Sequence, residues 1–416
     1  MQLSQKINNL ALLVGGYLAG QGGLFLSQSW LLANEQVSLL AAFGLCFSVA
    51  GLFAILVDFG FITVLARHVA VSGETPHSIY WVAVATRMLP VLATVFAAVA
   101  WICWPGSSPF SRSYALFALP GVVAWSFNLT GILDGLRLSG VNGIAAAMPF
   151  LLSAAALIVA GDVDPTIAGA LLGAALSLGY FGGLVLQVCV LLRRHKRYLV
   201  FSSPTFREIA DLAPSAVKAL LTTLPGQVYF RAQLAICAWL LGDNAVALLI
   251  YCKQIVTAFL LMASFLRRVE FPDLAQALAG ATAAPLRVVY RMQLGGTLFG
   301  LFGFVGVLMA SLVANQVLSG PLTEAARYLS LFSILIFSGA VSSATVQGLL
   351  ATARFGAAAL ASAIASVAGV GLSLATVAWL GIVGFVLADL VGNVASGIVS
   401  SIMIARSSTT GRESKE

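Results

Sequence analysis

Polar positions are scarce along this chain and fall at nearly regular intervals. Between them run apolar stretches long enough to cross hydrocarbon, for which about 20 residues suffice. The pattern predicts twelve helices, near 8–31, 37–62, 79–101, 113–135, 142–161, 166–192, 213–241, 245–268, 292–313, 327–350, 356–379 and 382–405. In hydrocarbon every backbone N–H and C=O needs an internal partner, so runs of this length are helical. The breaks carry turn chemistry: Asn34-Glu35, Ser72-Gly73-Glu74, Trp104-Pro105-Gly106, Asp162 to Pro165, Gly242-Asp243-Asn244 and Gly320-Pro321. The first run, Leu10 to Leu32, lacks a small-residue cleavage site and reads as the first helix rather than a signal peptide.

Composition closes off the soluble classes. Sixty per cent of the residues are apolar and 9% charged, with a mean hydropathy of +0.99, against about 45–50% and about 25% in soluble domains. A water-soluble globule, a disordered chain, a collagen, a coiled coil and a disulfide scaffold are excluded together. The expected fold is an all-α polytopic membrane protein.

Lys and Arg set the orientation. Sixteen of them fall in one set of connections and at the two ends: Lys6, Arg67, Arg137, Arg193, Arg194, Lys196, Arg197, Arg207, Arg267, Arg268, Arg287, Arg291, Arg354, Arg406, Arg412 and Lys415. The alternate connections hold Arg112 and Arg327. This positive-inside split predicts twelve transmembrane helices with both termini cytoplasmic. It also accounts for the net charge of +7 without nucleic acid. The five cysteines show no C-x-x-C spacing and read as small buried hydrophobes. His68, His77 and His195 fall in polar connections and form no metal constellation, so neither a metal nor a cofactor is expected.

The two halves of the chain echo one another. Val57-Asp58-Phe59 matches Val269-Glu270-Phe271 at an offset of 212, and at the same offset Lys6 matches Lys218, Tyr17 matches Tyr229 and Gln21 matches Gln233. Gly135 and Gly143 match Gly348 and Gly356 at 213. The expected organisation is two pseudo-symmetric six-helix lobes. An N-terminal lobe spans 1–192, a basic cytoplasmic linker 193–208, a C-terminal lobe 209–405 and a cytoplasmic tail 406–416. A parallel repeat of this kind builds transporters with the substrate at the lobe interface. The connections are too short for the loop or domain that a membrane polymerase, ligase or glycosyltransferase needs, and no G-x-x-x-x-G-K-[ST] phosphate loop occurs. The expected class is transport without an enzymatic step.

Charges within spans cost about 2.5–3.5 kcal/mol to insert, so each is a site candidate. Arg87, Lys218, Arg231 and Lys253 are the basic ones and Asp389 the clearest acid. Asp58 and Asp134 lie near span ends, where local arginines can pair with them. Lys218 can snorkel to the surface. Arg231 lies thirteen residues further on, about 20 Å deeper at 1.5 Å per residue, and cannot. Arg231 and Lys253 are therefore the pair expected to line a cavity, with charge pairing to Asp389 in a closed bundle as the other reading. Gln227 shares a helix face with Arg231, and Tyr17, Gln21 and Gln28 share a face of the first span. Such groups suit sugar hydroxyls or, equally, glue helices together. Pro225-Gly226 predicts a kink and a hinge in the seventh span, with Pro120-Gly121 a weaker copy. Gly16-x-x-x-Gly20 and Gly169-x-x-x-Gly173 read as close helix packing.

Several segments resemble one family. Asp58-Phe59-Gly60-Phe61 followed by Leu65-Ala66-Arg67-His68-Val69-Ala70 is similar to the close of the second helix in Wzx-type polysaccharide flippases. Gln227-Val228-Tyr229-Phe230, Trp239-Leu240-Leu241-Gly242, Tyr251-Cys252-Lys253 and Phe271-Pro272-Asp273-Leu274 resemble its seventh and eighth helices. Gln347 to Arg354 resembles its turn between the tenth and eleventh. The likeness implies a member of the multidrug/oligosaccharidyl-lipid/polysaccharide exporter superfamily in the bacterial inner membrane. Its implied substrate is an undecaprenyl-pyrophosphate-linked oligosaccharide, such as an O-antigen unit, flipped by alternating access. The lipid bilayer and a polysaccharide polymerase/chain-length complex are the implied partners. In that scheme Arg231 and Lys253, with Arg87 and Lys218, hold the diphosphate, Gln and Tyr side chains contact sugar, and Asp389, Asp58 and Pro225 are the candidates for coupling or gating. The lipid II flippases of the superfamily carry two further helices that this pattern does not show. A multidrug or small-metabolite exporter is the alternative, and the first span lacks the acidic residues expected of one.

Overall fold

The computed structural model describes residues 3–33, 36–72, 77–194, 200–279, 284–317 and 321–413. Asn34, Glu35, Gly73, Glu74, His195, Lys196, Arg197, Gly320 and Lys415, singled out above, lie outside them. Two compact units divide the chain, Met1–Val217 and Lys218–Glu416.

The first unit is built from α1 (Leu3–Ala33), α2 (Val37–Asp58), α3 (Phe61–Ser72), α4 (His77–Cys103), α5 (Pro109–Ala124), α6 (Thr130–Gly135), α7 (Ser139–Val159) and α8 (Pro165–Arg194). Helix α9 (Phe206–Leu241) begins in it and continues into the second unit. There it is followed by α10 (Asp243–Ala279), α11 (Pro285–Met292), α12 (Leu294–Val317), α13 (Pro321–Phe332), α14 (Ile334–Ala351), α15 (Phe355–Leu380) and α16 (Val383–Glu413). Each predicted span falls on a helix or on two helices separated by a turn. Among the described residues, eight segments, one of them α13 with α14, are long and apolar enough to cross a membrane, and α2 with α3 make a ninth, bent by 41°. The protein is an all-helical, multi-pass membrane protein.

Helix starts follow local chemistry. Ser108 accepts the Ser111 N–H ahead of α5, with Pro109 in the first turn, where its missing N–H costs nothing. Thr205 and Glu208 form a reciprocal box at the start of α9: the Thr205 N–H reaches Glu208 Oε2 at 2.8 Å, and the Glu208 N–H reaches Thr205 Oγ1. These bonds hold the exposed Glu208 carboxyl below the usual carboxylate range.

Helix α9 runs unbroken as a helix from Phe206 to Leu241, through Pro225-Gly226. The second span instead bends at Phe59 and Gly60, both in the left-handed region with φ of 56° and 81°. In α5 the Pro120 disturbance is stitched from α8. The Gly121 N–H donates to Ser177 Oγ at 2.9 Å, and Ser177 Oγ donates to the Phe117 carbonyl at 2.5 Å. One hydroxyl is thus inserted into a helical hydrogen bond, a known source of kinks. Helix α10 continues past Lys253 through Pro272 to Ala279, so Arg267 and Arg268, expected in a connection, are helical. Nothing in 267–279 terminates it.

Small residues set the interhelical packing in the first unit. Gly16 on α1 meets the backbone of Gly143 on α7, and Gly169 and Gly173 on α8 meet the α5 carbonyls of Phe110 and Tyr114. A side chain at any of these four would collide with backbone. The repeat is visible in one turn. Before α7, Leu138 N–H bonds Leu133 O and Arg137 takes φ of 62°; before α15, Arg354 N–H bonds Leu349 O and Ala353 takes φ of 59°. Both turns hold a non-glycine residue in the left-handed region and close the preceding helix with the same bond.

Candidate functional site

In the second unit, three helices bring an acid, a base, a phenol and an amide together. Helices α9 and α10 are joined at Gly242, whose φ of 81° suits a turn. Gln233 comes nine residues before that glycine and Lys253 eleven after it, about 14 and 17 Å along their axes at 1.5 Å per residue. They are therefore level. Asp389, two turns into α16, completes the group.

The geometry is closed. Lys253 Nζ lies 2.7 Å from Asp389 Oδ2 and also donates to Gln233 Oε1. Asp389 Oδ1 accepts from the Tyr229 hydroxyl at 2.6 Å and from Gln233 Nε2 at 2.8 Å. The ammonium sits 5.5 Å from the Tyr229 ring centroid and 5.8 Å from that of Phe230, within cation–π range. The Lys253 and Asp389 side chains are 13% and 11% exposed, so the pair is nearly desolvated yet not sealed. Gly369 on α15 makes room for the phenol: a methyl there would lie 2.6 Å from the Tyr229 hydroxyl.

Arg231 stands apart from this group. Residues 229 and 233 share one side of α9, while 231 is about 200° away around the helix at 3.6 residues per turn. Its guanidinium folds back on its own helix, Nη1 donating to the Gln227 carbonyl at 2.8 Å and to Gln227 Oε1 at 3.2 Å, and it is exposed. The pairing of Lys253 with Asp389 is thus realised, and Arg231 and Lys253 do not share surroundings. Lys218 is exposed, its stem passing Gly356. Tyr17, Gln21 and Gln28 are half-buried along α1 in the first unit, and Pro225 is half-buried in α9.

Arg87 is committed to the frame of the first unit. It is 0% exposed. Nη2 pairs with Asp58 Oδ1 at 2.6 Å, Nε donates to the Asp58 carbonyl, and Nη1 donates to the carbonyls of Ser126 and Asn128. Those carbonyls are freed where α5 gives way to a 3₁₀ turn at Trp125–Phe127, and the Asp58 carbonyl where α2 breaks from α3. The guanidinium expected to help hold a diphosphate is spent on two broken helices and offers no surface to a ligand. Asp58, expected in coupling or gating, also receives the Ile62 N–H at the start of α3 and Asn128 Nδ2. Beside this knot, buried Gln187 joins the Leu129 N–H, Thr130 Oγ1 and Asn142 Oδ1, and Asn142 Nδ2 reaches Asp134 Oδ1 at 2.7 Å. The same unit holds an apolar cleft of about 360 Å³ between α2, α4 and α5, lined by residues such as Val49, Phe53, Trp101 and Tyr114.

Sequence reasoning singled out Tyr17 and Gln21 but passed over their repeat counterparts, Tyr229 and Gln233. The signal was present: both pairs are four residues apart on one helix face, and the second pair faces Asp389.

Residues 31–278 match the family described as Polysaccharide biosynthesis protein. No curated protein matches the chain. Among solved structures, an outward-facing multidrug resistance MATE family transporter of the MOP superfamily is 15% identical, with 98% of this chain and 96% of that one covered and a TM-score of 0.73. A MATE structure in the bent conformation is similar at 15% identity, 98% and 96% coverage and a TM-score of 0.75, and one in the straight conformation at 17%, 97% and 96%, and 0.71. At these identities the likeness establishes a MATE-like fold.

Proposed function

The chain belongs to the polysaccharide biosynthesis protein family, and from that premise we propose that it is a flippase. Family and fold together support a transporter of the MOP superfamily. Its proposed cargo is an undecaprenyl-pyrophosphate-linked oligosaccharide, an O-antigen or related repeat unit, carried across the bacterial inner membrane by alternating access with both termini cytoplasmic. The proposed lobes are 1–192 and 209–405, joined by the basic segment 193–208.

The observation that carries this reading is Lys253, a lysine of α10 whose ammonium is nearly desolvated and balanced by one carboxylate. In a low-dielectric site a cation attracts a diphosphate several-fold more strongly than in water. Lys253 is the proposed diphosphate ligand, with Arg231 as an exposed second cation on the same helical hairpin. Gln227 and the Tyr17, Gln21 and Gln28 stripe are proposed to meet sugar hydroxyls. Arg87 is the frame that keeps the first unit in shape.

A strain lacking the protein should accumulate undecaprenyl-linked repeat units on the cytoplasmic leaflet and lose surface polysaccharide. Unchanged surface polysaccharide in that strain would remove the proposal.

A further inference from the structure

Lys253 and Asp389 are not equally dependent on one another. Asp389 presents Oδ2 to the ammonium, while Oδ1 is held separately by Tyr229 and Gln233. If the ion pair opens, the carboxylate keeps two donors. Among the described residues the ammonium then keeps Gln233 Oε1 and two aromatic faces. A nearly desolvated cation left with neutral partners is costly, so Lys253 needs an anion at all times. The groups facing it are Asp389 from α16 and Gln233, Tyr229 and Phe230 from α9, with Gly369 of α15 behind the phenol.

We infer that Asp389 is a built-in stand-in for the substrate's anionic headgroup: it holds Lys253 while the site is empty and releases it when a diphosphate arrives. This rests on the diphosphate reading of Lys253 given above and adds a role that reading lacks. The loaded carrier moves with Lys253 on the headgroup, and the empty carrier returns with Lys253 on Asp389. Tyr229 and Gln233 are positioning residues, since they keep the carboxylate at the same spot in both states. A diphosphate carries more negative charge than a carboxylate and wins the lysine when present. A carrier without the stand-in would still exchange one headgroup for another but would stall when returning empty.

The test uses the full chain in liposomes with a short-chain fluorescent polyprenyl-diphosphate saccharide, and inorganic pyrophosphate as the binding probe. For Asp389→Asn we expect net flipping to fall about tenfold or more, exchange against unlabelled substrate in the opposite leaflet to persist, and pyrophosphate to bind more tightly. Asp389→Glu should restore net flipping. Equal loss of exchange and net flipping in Asp389→Asn, with pyrophosphate binding still weakened by Lys253→Ala, would overturn the stand-in alone. Pyrophosphate binding that ignores Lys253→Ala would overturn the diphosphate site and the stand-in with it. Should the Asn variant not accumulate, the unmodified protein decides: pyrophosphate should raise labelling of Asp389 by a hydrophobic carbodiimide, and unchanged labelling would overturn the inference.

Discussion

Arg87 and Arg267 each grip a backbone carbonyl distant in sequence within their own unit. Arg87 Nη1 reaches Asn128 O, and Arg267 Nη2 reaches Ala340 O at 2.6 Å. One comes from α4, and the other from α10, the counterpart of α2 and α3. Each is buried, at 0% and 1% exposure, and each lies by the repeat acid, Asp58 or Glu270, that sequence pairs at the same offset. Each unit thus buries an arginine beside its repeat acid, supplied from a different helix.

Arg87→Ala should therefore fail structurally rather than selectively. It strands a carboxylate and three carbonyls in a dry interior, a loss of about 3–5 kcal/mol for a broken buried pair. Thermal unfolding in detergent should show a lowered midpoint and poor accumulation. Arg87→Lys should rescue little, because an ammonium cannot reproduce the planar fork. A stable Arg87→Ala protein would show that the knot is dispensable.

Lys253 calls for a pair of variants. Lys253→Met alone leaves Asp389 uncompensated and should destabilise the protein. Adding Asp389→Leu should return stability to near the starting level, since well-packed apolar replacements of buried ion pairs are often neutral. Flipping should stay lost in both. Recovery of flipping in the double variant would mean that the cation has no part in transport.

Gly369→Ala tests the phenol without touching any polar group. The added methyl meets the Tyr229 ring and hydroxyl at about 2.6 Å and must displace one of them. Accumulation should be normal and net flipping reduced to the level of Tyr229→Phe. Normal flipping would show that Tyr229 need not hold Asp389.

Ser177→Ala should leave the Gly121 N–H and the Phe117 carbonyl without their bridge. Leaving buried partners unsatisfied costs about 1–3 kcal/mol, readable as a lower unfolding midpoint with intact flipping. Gly121→Ala should do more harm, because the added carbon collides with the Ser177 backbone.

The spans were legible because hydrocarbon leaves a chain few options, and a helix of 20 apolar residues needs little tertiary information. The glycine contacts at 16, 143, 169 and 173 were half legible, their spacing being visible and their partners not. The bend at Phe59 and Gly60 was not legible, because it depends on Arg87 of another helix donating to the freed Asp58 carbonyl. For the same reason Arg87 read as a ligand: sequence shows a charge in a span, but not the carbonyls that consume it. Lys253 and Asp389 were legible with their pairing as one of two readings, and their 2.7 Å approach depends on where α16 comes to lie, more than a hundred residues later.

A closed Lys253–Asp389 pair sums to zero. An isolated unit charge carried through a membrane gains or loses about 2.3 kcal/mol per 100 mV of potential, whereas a neutral couple gains nothing. The Lys253–Asp389 couple therefore adds no voltage dependence of its own to the return of the vacant protein. The phosphorylated cargo does feel the voltage, and an inside-negative membrane pushes it outward.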